Sequence, residues 1–190
     1  MYKLGMPLGE GLSSGDSEHV HRREYEVLNP DSSKVRLFAG VPYGEPGVFE
    51  ALVKCLQPPY CLLYILHMPR TDPEAEGRYQ SPELSPQEFS GFMQDYHDYL
   101  SADGRFDLWG YSPTEQATIV WDHNNYIYGY GPIERYIDVL ETLRYTPGHV
   151  DRVTSRTHVH HYRAEFDAQA ESVLERYDWV RSDLREGDGI

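Results

Sequence analysis

The chain has 190 residues, a formal charge of −14 from 17 basic and 31 acidic side chains, and 13% aromatic content that includes sixteen tyrosines. That length fits one domain with a real core, and the apolar and aromatic content excludes a disordered polypeptide. No Lys/Arg cluster is present to neutralise phosphates, which argues against direct nucleic-acid binding, and no window approaches a membrane span or a secretory leader. The expected setting is the cytoplasm, with Cys55 and Cys61 as packed, reduced thiols rather than a disulfide framework.

Residues 1–17, with four Gly and three Ser, read as a flexible N-terminal arm, followed by one α+β domain over 18–184 and a polar C-terminal tail over 185–190. Alternation over 19–28, turn chemistry at Asn29-Pro30-Asp31 and a second run over 35–41 predict a hairpin. Val48, Phe49, Leu52, Cys55 and Leu56 fall at helical spacing over 46–56, and Pro58-Pro59 ends that helix. The continuous apolar run over 60–67 predicts a buried central strand.

Residues 71–84 read as a long polar loop. Ser85 as cap, Pro86 at the first helical position and Glu88 three residues after the cap then start a helix over 86–100, with Phe89, Phe92, Met93, Tyr96 and Leu100 on its inner stripe. A strand over 106–112 leads into an aromatic hairpin over 119–130, IVWDHNNYIYGY. Helix over 132–145, strand over 153–162 and helix over 164–180 complete the pattern. The fold expected is α+β: a single mixed or mainly antiparallel sheet with about four helices packed mostly on one face.

A two-residue turn at Asn124-Asn125 would put His123 opposite Tyr126 and Trp121 opposite Tyr128. Trp121, His123, Tyr126 and Tyr128 would then share a face, as core at its base and a candidate ligand surface near the turn. A one-residue slip would exchange the two faces. On the same register Asp122 and His123 point to opposite faces and form no acid–base pair.

In THVHHY, His158 and His160 stand at i and i+2 on a strand and make half of a metal site, with Asp122, His123, His149 or His97 as possible further ligands. An open polar strand face gives the same spacing without metal. The segment Gly11-Leu12-Ser13-Ser14-Gly15 matches the nucleophile-elbow pattern, but no strand precedes it and no helix follows it.

Acids concentrate in two segments: nine against two bases over 72–107, and eight against three over 164–190. With Glu88, Asp95, Tyr96, Asp98 and Tyr99 on one helix, they suggest a tyrosine-bearing acidic surface for a basic protein. The leading expectation is therefore a non-enzymatic, immunity- or inhibitor-type binding protein that needs no cofactor. The alternative is a small-molecule-binding protein or metal-dependent hydrolase, using a divalent transition metal at His158 and His160.

Overall fold

The computed structural model describes residues 3–7, 16–69, 75–153 and 158–188. In chain order they form strands β1 (Leu4–Pro7), β2 (Asp16–Glu18), β3 (Glu24–Leu28) and β4 (Arg36–Gly40), helix α1 (Pro46–Lys54), and strands β5 (Cys61–Leu66) and β6 (Gly77–Gln80). Helices α2 (Pro86–Asp95) and α3 (His97–Ala102) follow, then strands β7 (Phe106–Ser112), β8 (Ala117–Trp121) and β9 (Tyr126–Tyr130) and helix α4 (Ile133–Thr142). Strands β10 (Thr146–Pro147) and β11 (Val159–His160), helix α5 (Asp167–Glu175) and strand β12 (Val180–Ser182) complete the chain.

The fold is α+β, as its pattern predicts. Nine strands make one sheet in the order β10-β3-β4-β9-β8-β7-β5-β6-β12, antiparallel except for the β10–β3 pair. Period-two alternation assigns its two faces. Leu37, Ala39, Leu62, Tyr64, Leu66, Phe106, Leu108, Ile119, Trp121 and Ile127 point to the helices and form the main core with Phe49, Leu52, Phe89 and Leu140. Gly110 sits where α1 crosses β7: a Cβ there would stand 2.5 Å from Val53. The opposite face carries Arg36, Phe38, Asp107, Trp109, Val120 and Tyr128, and part of it is left open.

The α2 start is built as its sequence dictates. Ser85 Oγ accepts the Glu88 N–H, while Glu88 Oε2 accepts the Ser85 N–H at 2.8 Å, so each caps the other. The helix stops at Tyr96, whose backbone leaves the helical region, and restarts as α3 instead of running unbroken to Leu100.

Several expectations change. The supposed arm is partly structured: β1 pairs with β2 and β11 in a separate three-stranded sheet, and Lys3 and Leu4 are fully buried. Within the 71–84 loop, 77–80 form a strand between β5 and β12, because Tyr79 reaches the core and Arg78 the other face. The last helix ends at Glu175, and Val180–Ser182 pairs with β6. The polar tail folds back, with Asp188 buried against the Arg78 guanidinium and accepting the Arg185 N–H. Of the strand expected over 153–162, Val159–His160 is present; 154–157 lie outside the described residues, as do Gly11 to Gly15.

The aromatic hairpin forms one register away from that expected. Val120 pairs with Tyr128 and Trp121 with Ile127. Asp122 Oδ1 accepts the N–H groups of Asn124 and Tyr126, the Asn125 N–H donates to Asp122 O, and Asn125 takes the left-handed conformation at φ 60. The connection is thus a three-residue loop, His123-Asn124-Asn125, favoured by the aspartate cap. Trp121 therefore lies in the helix-side core beside Phe49, while Tyr126 and Tyr128 pack on Phe38 across the sheet, so the four residues do not share a face.

Candidate metal centre

Three elements meet at one end of the open sheet face. His67 follows β5, and its backbone is fixed by donation to Arg105 O at 2.9 Å. Asp107 stands on β7, pointing away from the helices between the core residues Phe106 and Leu108. His123 opens the β8–β9 loop. The three side chains are buried, and each offers a ligand atom within 4.8 Å of the other two.

Asp107 is the hub. Its Oδ1 accepts both the backbone N–H of His123, at 2.8 Å, and His123 Nδ1, at 2.7 Å. Its Oδ2 lies 3.1 Å from His67 Nε2, but off the axis of a hydrogen bond, so that buried ring nitrogen has no aligned partner. Burial alone would raise the Asp107 carboxyl; the two imidazoles, His123 foremost, outweigh it and hold the group well below the usual carboxylate range. Burial likewise lowers His123, but its hydrogen bond to Asp107 and that residue's charge bring it out above an ordinary histidine.

Around this hub sit further polar groups that a plain core would not gather. Strand β11, paired to β1 with His160 opposite Leu4, brings the His160 ring to 4.8 Å from that of His123 and 5.1 Å from that of His158. Neither His160 ring nitrogen, both buried, has a hydrogen-bond partner, and burial drops its pKa to about 3. A cavity of about 30 Å³, lined by His67, His123 and His160, has room for one ion or one water. On the other side Asp107, His123 and Asp122 line an open valley of about 550 Å³. Burial, with the Asp107 charge added, pushes the Asp122 carboxyl up to about 6. Lys3, fully buried over the Trp121 ring at 4.0 Å, is lowered by burial to about 8. Beneath the hub a buried Arg105, bonded to Asp103 and Asp167, braces the start of β7.

His123 thus belongs to the centre, with Asp122 beside it, because the three-residue loop turns the imidazole back toward the open face. His160 and His158 approach as a row of rings, but neither joins the group whose ligand atoms lie within 4.8 Å of one another. His97 is paired with Asp98 at the surface and His149 with Glu26. His67 and Asp107 were missed. A carboxylate set between two core residues of the strand FDLWGYS was the available signal for Asp107; for His67 it was an imidazole closing the apolar run CLLYIL.

The acidic helix does not present its tyrosines. Tyr99 is fully buried with its hydroxyl 2.6 Å from that of Tyr64, and Tyr96 is buried with its hydroxyl on Ser172, because both belong to the inward stripe. Asp95 pairs with Arg176 and Glu88 is occupied as a cap. Both thiols sit above their ordinary range through burial, Cys55 at about 11.

Comparison with protein-family models, with curated proteins and with solved structures finds no match. No helix among the described residues is long and apolar enough to cross a membrane.

Proposed function

We propose that the protein is a metal-dependent hydrolase acting on a small molecule, with His67, Asp107 and His123 as the metal ligands. The observation that carries this reading is the convergence of two imidazoles and one carboxylate, from three separate elements, to within 4.8 Å of one another in a buried setting. Two histidines and a carboxylate leave positions open for water and substrate, and they suit a divalent transition ion. The His160 ring nitrogens, buried without a hydrogen-bond partner beside an ion-sized cavity, support it, since buried polar atoms left unpaired are costly. Asp122, on the valley wall next to His123, would be the candidate general base if His67, Asp107 and His123 held an ion that supplied an activated water.

The test is elemental analysis with a thermal shift. Freshly purified protein is expected to carry, or to take up, about one equivalent of zinc, manganese or nickel and to melt higher when loaded. His67→Gln and Asp107→Asn should each abolish both effects. Less than about a tenth of an equivalent, with no shift on adding any of the three ions, would overturn the reading.

A binding role toward a basic protein keeps the −14 charge as its support. It has lost the exposed tyrosines that made a surface of α2 and α3. Association with a basic partner that weakens as salt rises would favour it.

A further inference from the structure

The valley beside the metal centre contains more than its ligands. Arg36, at the start of β4 and on the same face as Phe38, stands on its wall with its guanidinium carbon 5.6 Å from the centre of the Tyr128 ring. The Arg36 Nε is buried and has no hydrogen-bond partner, and no carboxylate among the described residues pairs with its head group. Trp109, on β7 in the floor, holds a second buried donor, Nε1, that is also without a partner. An adjoining hollow of about 510 Å³, lined by Gln80, Tyr111 and Arg185, borders the valley at Trp109 and Thr118 on the side away from Asp107 and His123, and the pair is here called the trough.

This is an unusual place to find unclaimed donors. Acids outnumber bases in the chain by 31 to 17, and the neighbouring Arg78 is neutralised by a buried aspartate, Asp188. Arg36 instead lines the same valley as Asp107 and Asp122, at its opposite end, with no ion pair to either. Arg36 and Trp109 both line the valley, each with one buried N–H left without a partner; such donors match a ligand rich in acceptor oxygens, and a guanidinium without a counter-ion matches a negatively charged one. A cationic ligand would leave both donors unmet.

We infer that the trough binds a small molecule carrying an oxyanion, a phosphate ester or a carboxylate, with the anionic group on Arg36 and an acceptor oxygen on Trp109 Nε1. The orientation, with the remainder of the molecule reaching the metal, rests on the metal reading above; the Arg36 contact does not. A bound divalent ion would also offset the Asp107 and Asp122 charges that otherwise repel an anion at that end.

Phenyl phosphate, benzoate and inorganic phosphate, with phenol as the neutral control, are titrated calorimetrically against chelator-treated and zinc-treated protein. Phenyl phosphate or benzoate should bind both preparations, phenol neither, and the stronger of the two names the anion class. Arg36→Met should weaken that binding at least about tenfold while leaving zinc stoichiometry unchanged. Arg36→Lys, which keeps the charge and loses the Nε donor, should fall between, and Trp109→Phe should weaken binding less. If Arg36→Met or Arg36→Lys binds the aryl anions as tightly as the unaltered protein, the inference is wrong. It is also wrong if phenol binds equally, or if inorganic phosphate alone binds. Anion binding that depends on Arg36 in a protein that takes up no metal would sink the metal reading and leave this one standing.

Discussion

Asp107 is one carboxylate held between two imidazoles, and its replacement is the most informative single change. Asp107→Asn keeps the shape but removes the charge that holds His123 above an ordinary histidine, so the His123 pKa should fall, as read by NMR of the ring. An unchanged titration would mean that another group sets it. Lys3 makes a separate prediction. Burial lowers its amine from 10.5 to about 8, so between those values the unfolded chain binds a proton that the folded chain does not. Stability contributed by this group therefore rises with pH through that window. Relative to Lys3→Met, the natural chain should gain stability between pH 8 and 10.5 in urea unfolding; a constant difference would count against it. At this scale the sequence exposed His123 and the His158–His160 pair. His67 and Asp107 stayed hidden because a single imidazole or carboxylate in an apolar strand has no local pattern, and only the strand order makes neighbours of residues forty positions apart.

Among the elements, those with chemistry of their own were legible. The α2 cap was readable because Ser85, Pro86 and Glu88 carry the whole mechanism within four residues. Ser85→Ala should cost about 1 kcal/mol in urea unfolding, since the Glu88 N–H loses its acceptor. Burial-driven elements were harder. Strand β6 was unreadable because Gly77–Gln80 is too short and polar to alternate visibly, and it exists through its pairing with β5. The hairpin register slipped because two asparagines advertise a two-residue turn, whereas the Asp122 carboxylate takes two N–H groups and adds His123 to the loop. The same hidden fit governs α1: Gly110→Ala drives a methyl into Val53 and should destabilise by roughly 1–3 kcal/mol in the same assay.

For the molecule as a whole, the class and the one-sided packing of helices could be read from the alternation of patterns. The C-terminal residues could not, since nothing in REGDGI announces that Asp188 will be buried on Arg78. Asp188→Ala leaves that guanidinium buried and alone and should cost about 3 kcal/mol or more by chemical denaturation. A loss under about 1 kcal/mol would show that Arg78 finds water instead.

The two ends of the nine-stranded sheet have a consequence for how this protein behaves in company. Each end is finished by a very short strand, Thr146–Pro147 on one side and Val180–Ser182 on the other. Pro147 has no N–H to donate, and Val180–Ser182 carries an arginine between its exposed neighbours. Another chain seeking to add itself to the row meets two residues of β10 or three of β12, and past β10 only the last three residues of β3. Long hydrogen-bonded strands lie inside, and the margins are too brief to serve as a template for stacking copies into fibres.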